Sequence, residues 1–314
     1  MKGFRVVLEE DIRRELDMGK AIELMREAFL QISGDVATVP VRTVLDEKGG
    51  RGRALFMPAY SSGYGLFGLK MVSVFPQNPK IGLPSIQGKM LVMEANHGTP
   101  VGLLDAEYLT ALRTGAASGY ATGLLANPGS SVLAIFGTGT QALTQVEAVT
   151  SVRHIKKLLV YGTSQAKAEA FCEKMNDQYK LPCVAPNGLA ALMEADIICT
   201  ATTSTHPVFE LGHIKPGVHI NGIGSFKPEI REIPAAVIRQ SLLIVDQRAA
   251  ALSEAGDLII PIKEGVIGSD HIHAELGEVA SGIKTGRTDA NQITVFKSVG
   301  NAVQDLAMAA FLLA

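Results

Sequence analysis

The chain alternates between continuous apolar runs and stretches with helical spacing. From residue 131 onward, SVLAIF, KKLLVYG (156–162), ADIICTAT (195–202), GVHINGIG (217–224) and SLLIVD (241–246) are each short and apolar without alternation. That pattern predicts strands buried on both faces, as in a parallel sheet. Between them, GTQALTQVEAVTSV places Ala142, Val146 and Val149 on one helical face, and SQAKAEAFCEKMNDQ reads as a second helix. Strand and helix in regular alternation predict a doubly wound α/β domain. The upstream third reads differently. DIRRELDMGKAIELMREAFLQIS (11–33) gives a start signal and an amphipathic helix with Ala21, Leu24, Met25, Ala28 and Phe29 as its apolar stripe. RTVLDEKGGRGRALFMPAYS resembles a hairpin turning near Lys48–Gly50. GYGLFGLKMVSVFP (63–76) is a strand, GKMLVMEANHGTPVGLLD gives two strands turning at Asn96–Gly98, and LDAEYLTALRTGAASGYATGLLA (104–126) is a long helix. In that helix the run Ala116, Ala117, Ser118, Gly119 leaves room for another backbone. The tail, NQITVFKSVGNAVQDLAMAAFLLA, is a strand, a small-residue turn and an apolar helix. It is expected to return to the upstream domain rather than extend the parallel sheet, which would make that domain discontinuous.

The first of the apolar runs ends in G-x-G-x-x-A, formed by Gly137, Gly139 and Ala142. The first glycine permits a tight turn, the second lets a pyrophosphate approach the backbone, and the small third residue lets helix pack on strand. Phosphates would rest on the exposed N–H groups at the helix start. The ribose-reading position follows the second strand. It holds Gly162, Thr163 and Ser164, with Lys167 a turn further on, and no acid. An NAD-specific site usually carries an acid there to bond the ribose diol. NADP(H) is therefore expected to be preferred, with NAD(H) as the other possibility. On the other reading, Thr163 and Ser164 only cap the next helix.

Composition narrows the classes. With 314 residues, 47% of them hydrophobic, and a net charge of −2, the chain has material for about two cored domains. It offers no basic field for nucleic acid. No apolar run reaches the roughly 18 residues of a membrane span, and the N-terminus lacks a signal-peptide core, so a cytoplasmic location is expected. Cys172, Cys183 and Cys199 match no metal spacing and are read as buried thiols; His271 and His273 are read as loop residues. Lys70 and Arg113 fall in apolar surroundings, and a buried cation needs an anionic partner. Two alternatives stay open. Each cation pairs with an internal carboxylate such as Asp105 or Glu94, or Arg113, Lys70 and Arg42 converge on one cleft and bind a substrate carboxylate, with arginine offering a bidentate fork.

The segments GLKMVSVFPQN, GLPSIQGKMLVM, LLDAEYLTALRTGAASGYATGLLA, LAIFGTGTQA, HINGIGSFKPEIRE and TVFKSVGNAVQDLA, in this order, resemble the ornithine cyclodeaminase/mu-crystallin family over nearly the whole chain. The resemblance implies a Rossmann-type doubly wound nucleotide domain (116–289) and a discontinuous α+β substrate-binding and dimerisation domain (1–115 with 290–314). It also implies a homodimer. Arg42, Lys70 and Arg113 match the residues that hold the substrate carboxylate, while Ser85, Thr140, Gln141, Thr202, Ile223 and Ser298 match positions lining the cofactor, which Arg113 also reaches. Cyclodeaminases of the family carry a proton-shuttling aspartate where GSFKPE has Phe226, followed by Lys227. Phenylalanine cannot move a proton, and K-P-E-x-R-E is closer to the ketimine-reductase branch. The expected activity is NAD(P)H-dependent reduction of a small cyclic ketimine carboxylate such as Δ1-pyrroline-2-carboxylate, with Lys70, or a water it holds, supplying the proton. Ornithine cyclodeamination, reductive amination of a 2-oxo acid as in alanine dehydrogenase, and a crystallin-like ligand-binding role are the alternatives.

Overall fold

A computed structural model describes residues 3–314. In chain order its strands and helices are β1 (Arg5–Val7), α1 (Glu9–Glu15), α2 (Met18–Ser33), β2 (Ala37–Thr38), β3 (Thr43–Asp46), β4 (Arg53–Ser61), β5 (Leu66–Val74), β6 (Ile86–Glu94), β7 (Pro100–Asp105) and α3 (Glu107–Leu125). They continue as β8 (Val132–Phe136), α4 (Thr140–Val152), β9 (Lys157–Tyr161), α5 (Gln165–Tyr179), β10 (Cys183–Val184), β11 (Ile197–Thr200) and β12 (His219–Gly222). The last are α6 (Ala235–Gln240), β13 (Leu242–Val245), α7 (Arg248–Glu254), α8 (Gly256–Lys263), β14 (Ala274–Glu275), α9 (Leu276–Ala280), β15 (Thr294–Lys297) and α10 (Ala302–Leu312). Two compact units result. One runs up to Arg113 and resumes at Gly300, and the other spans Thr114–Val299.

In the first unit the sheet runs β1-β7-β6-β5-β4-β2, with β3 paired to β4. β1 is parallel to β7 and the other pairs are antiparallel. Alternation along β4 and β5 turns Leu55, Met57, Ala59, Gly68 and Lys70 inward. α10 packs on that side, against α2, β4 and β5. Gly68 has a packing role, since a Cβ there would press on Leu306 of α10 at 3.0 Å. The register sets Lys70 opposite Met57 on one side and Met90 on the other, both buried. The opposite face presents Leu45, Phe67 and Met71 to solvent.

The second unit holds a parallel sheet in the order β10-β9-β8-β11-β12-β15-β13-β14. Its strands are apolar throughout because each face is covered. Leu133 and Ile135 join one core with Leu158, Val160 and Cys199, while Ala134 and Phe136 join the other with Ile198, Ile220 and Val245. The order reverses between β8 and β11, the switch point beside which such folds bind ligands. Gly115 of α3, one residue ahead of the small-residue run 116–119, lies so close to α4 that a Cβ would meet the Thr144 backbone.

Two expectations need correction. The strand β15 stays in the parallel sheet, between β12 and β13, instead of returning to the first unit, so the chain crosses at Gly300 rather than 290. Parallel strands are joined through distant crossovers, so order in sequence does not give order in the sheet. Cys172 and Cys183 are not both free thiols. They form a disulfide joining α5 to β10 with Cα atoms 5.2 Å apart. A comparison of spacings against metal patterns could not detect that pair. Cys199 is a buried thiol, and burial pushes its pKa up to about 12.

Candidate active site

The glycine turn has the geometry its composition predicts. Gly137 adopts φ +109°, where a side chain would be strained, and a Cβ there would run into the Ala201 carbonyl. Gly139 is the N-cap of α4, with no side-chain cap and open space where a Cβ would stand. An uncapped helix start behind a turn with glycine on either side of Thr138 is a fitting seat for a pyrophosphate. Thr140 and Gln141 open this helix, and the Gln141 Oε1 is buried without a hydrogen bond. Thr202, Ile223 and Ser298 follow the carboxyl ends of β11, β12 and β15, the same sheet edge as Gly137. Gly162 follows β9. Ser164 is the N-cap of α5 and accepts from the Lys167 N–H at 3.4 Å, so one of the two hydroxyls at the ribose-reading position is engaged in capping. Thr163 and Lys167 are exposed.

A buried charged group fixes the loops at this edge. Glu232, fully buried, accepts from the Thr202 N–H at 2.7 Å, the Thr200 hydroxyl at 3.0 Å and the Ser225 N–H at 3.1 Å. Asp257 accepts from the Glu232 and Ile233 N–H groups at 2.7 and 2.9 Å and pairs with Lys297 at 3.1 Å. Burial, with Asp257 nearby, raises the Glu232 pKa. Ser298 donates to Asp246 at 2.8 Å.

The first unit gathers the cations. Lys70 Nζ donates to Asp305 Oδ2 at 2.7 Å and to the Thr110 hydroxyl at 3.3 Å. Arg113 donates to Gln304 Oε1 at 3.0 Å, and its Nε lies 3.5 Å from Asp305 Oδ1, an ion pair rather than a hydrogen bond. Arg42 donates to the Gly300 carbonyl at 2.6 Å. Lys70 is 1% exposed, Arg113 5% and Asp305 0%. Burial pushes the Lys70 pKa down to about 7; Asp305 pulls it up, while Arg113 and Arg42 push it further down. An ammonium poised near neutrality can hold or release a proton at working pH. Thus Lys70, Arg113 and Arg42 do share one neighbourhood, around α10. Ser85, in the same unit, accepts from the Phe75 N–H through its carbonyl at 2.8 Å.

The internal carboxylate is Asp305, neither Asp105 nor Glu94. Asp105 pairs with Lys89 at the surface, and Glu94 accepts the N–H groups of the Asn96–Thr99 turn. Reasoning from the sequence also missed Gln304, Asn301, Thr110 and Glu232. The available signal was two adjacent polar residues, Gln304 and Asp305, inside a helix otherwise made of Ala, Val, Leu, Met and Phe. His271 and His273 each meet a backbone carbonyl, those of Ile238 and Thr285.

Fold and site together define a two-unit α/β protein with a Rossmann-type glycine turn and, in the other unit, a buried cluster of cations around one carboxylate, Asp305. The chain belongs to the ornithine cyclodeaminase/mu-crystallin family, whose sequence model matches residues 4–313. It is 40% identical to a Δ1-pyrroline-2-carboxylate reductase of Bacillus cereus, over 98% of this chain and 95% of that one. Among solved structures it resembles Thermococcus litoralis Δ1-pyrroline-2-carboxylate reductase in complex with NADH and L-proline, with TM-score 0.94, 39% identity, and 98% and 96% of the two chains covered. It also resembles an archaeal alanine dehydrogenase dimer with bound NAD, with TM-score 0.93, 32% identity, and 99% and 95% covered. No helix among the described residues is long and apolar enough to cross a membrane.

Proposed function

We propose that this chain reduces a small cyclic ketimine carboxylate, such as Δ1-pyrroline-2-carboxylate, to the cyclic amino acid. The observation that carries the reading is the Lys70–Asp305–Arg113 cluster. It is a buried set of cations built around one carboxylate, in a chain that also carries a dinucleotide turn. Relatives named for this reaction support it. Arg113 and Arg42 hold the substrate carboxylate, which fixes a flat ring with little freedom left to misalign. The nicotinamide, when bound, supplies the hydride. Lys70 donates a proton to the nitrogen lone pair that reduction of the protonated imine creates, and regains it from solvent, which a pKa of about 7 allows. Gly137, Gly139, Thr140 and Gln141 hold the pyrophosphate side, and Thr202, Ile223, Ser298 and Ser85 border the dinucleotide.

NADPH is the preferred donor in this reading. No acid at 162–164 repels a 2′-phosphate, and Thr163 and Lys167 are exposed to meet it. The reading includes a cytoplasmic enzyme acting as a homodimer. The exposed Leu45, Phe67 and Met71 on the outer sheet face are the surface offered to a second copy. The test is oxidation of reduced nicotinamide followed by absorbance. Loss of absorbance with Δ1-pyrroline-2-carboxylate alone supports the reading. A requirement for pyruvate plus ammonia, or ammonia release from ornithine without net cofactor change, overturns it, as does silence with all three. A higher kcat/KM with NADH than with NADPH overturns the cofactor preference.

A further inference from the structure

The first turn of α10 carries buried polar groups that the fold does not use. Asn301 is 4% exposed, and both its Nδ2 and Oδ1 lack a hydrogen-bond partner. It occupies the N-cap of α10, where a side-chain oxygen ordinarily accepts from the first free N–H groups. Here it makes no such bond. The amide therefore serves neither the helix nor the core, and an unpaired buried amide costs stability. Its neighbours face the cations. Gly300, at φ +75°, brings its backbone so near Arg113 that a Cβ would overlap the guanidinium, and its carbonyl accepts from Arg42. Gln304 gives Oε1 to Arg113 and leaves its buried Nε2 without a partner. Asp305 takes Lys70.

A primary amide presents one acceptor and one donor side by side. A protonated 2-ketimine carboxylate presents the complement on one edge, a ring N–H donor and, two carbons away, a carboxylate oxygen acceptor. We infer that Asn301 reads the ring nitrogen. Its Oδ1 accepts the N–H, its Nδ2 donates to the neighbouring carboxylate oxygen, and Gln304 Nε2 adds a second donor to that carboxylate. The inference rests on the ketimine reading above and deepens it into a rule of choice. A 2-oxo acid offers a lone pair where Oδ1 needs a donor, so Asn301 selects imino acids over oxo acids by leaving a buried acceptor unpaired with the wrong substrate.

Flat ring acids that differ in one atom test this. Pyrrole-2-carboxylate carries the N–H, and furan-2-carboxylate replaces it with oxygen. In calorimetric titrations of the dinucleotide-bound protein, the wild type binds the pyrrole acid about tenfold more tightly than the furan acid. In Asn301→Ala the ratio falls to about one, mainly through loss of the pyrrole acid. Asn301→Asp keeps an acceptor but not the donor. It retains a preference for the N–H ligand while weakening both acids. A ratio unchanged in Asn301→Ala overturns the assignment, and so does an equal loss of both ligands in both variants, which is the mark of a purely structural residue. If the wild type binds neither acid and reduces no cyclic imine, the ketimine reading itself fails. If it reduces the imine and the ratio ignores Asn301, only the assignment fails. Should Asn301→Ala not fold, Asn301→Asp decides alone, because loss of the N–H preference in a folded variant refutes the acceptor role.

Discussion

Asp305→Asn removes the carboxylate that raises the Lys70 pKa and leaves a side chain of the same shape in α10. At 2.7 Å the pair interacts with about 6 kcal/mol at an effective dielectric of about 20. At about 1.36 kcal/mol per unit, that is about four pKa units as an upper bound. The amide oxygen still accepts a hydrogen bond, so about half is the working expectation, which moves the midpoint from about 7 to about 5. Lysine is charged below its pKa, so the proton-donating form now disappears as pH rises through about 5. At pH 6 the variant keeps about a tenth of the wild-type kcat/KM. The assay is kcat/KM for the ketimine against pH in both proteins. Titration of the substrate is common to both and cancels in their ratio. Stability gives a second readout. The folded Lys70 pKa lies below its unfolded value, so the unfolded state binds more protons between the two, and stability rises with pH across that interval. In wild type this rise begins near pH 7; in the variant it begins near pH 5. Below that, charged Lys70 and Arg113 lack their counterion and cost about 3–5 kcal/mol. An unchanged pH midpoint in Asp305→Asn would refute the role given to the pair.

Other outcomes follow from the same geometry. Gly137→Ala puts a Cβ against the Ala201 carbonyl at φ +109°; a strain of about 1–3 kcal/mol should lower the melting temperature by several degrees. Titration by nicotinamide fluorescence should show weaker dinucleotide binding, and normal binding would remove the turn from the site. Arg113→Lys loses the planar fork and the Gln304 contact, so KM for the imino acid should rise about tenfold, equivalent to about 1.4 kcal/mol, with a smaller change in kcat. Phe67→Lys with Met71→Glu charges the outer sheet face; sedimentation should show the proposed homodimer of the wild type giving way to monomer, and a dimer unchanged in the variant would place the interface elsewhere.

What was legible in the sequence was whatever depends on near neighbours. The strands of the parallel sheet announce themselves because burial on both faces demands unbroken apolar runs, and the turn at Gly137 because only glycine tolerates its φ. The neighbourhood of Lys70 and Arg113 was open from the cost of burying a cation, but not its counterion. Asp305 lies 235 residues from Lys70, and the nearer acids Asp105 and Glu94 turn out to serve surface and turn. The place of β15 failed for the same reason, because it is a contact made by topology rather than by spacing. The Cys172–Cys183 bridge is local, 11 residues apart, but two cysteines at that spacing carry no mark of pairing in the sequence.

The return of the chain after β15 ties the first unit's fold to its chemistry. α10 covers β4, β5 and α2 with a helix whose buried residues are almost all apolar, and the exceptions, Gln304 and Asp305, meet Arg113 and Lys70. Without α10 the inner sheet face would expose Met57 and Met90 beside an uncompensated Lys70, and Arg113 would lose both its acid and its amide. Apolar burial and charge balance thus arrive in one step, supplied by one helix. A polar pair in a buried helix is costly unless its partners are already in place. Here those partners are Lys70 and Arg113, so the residues that close the fold of this unit are also those that balance its buried cations.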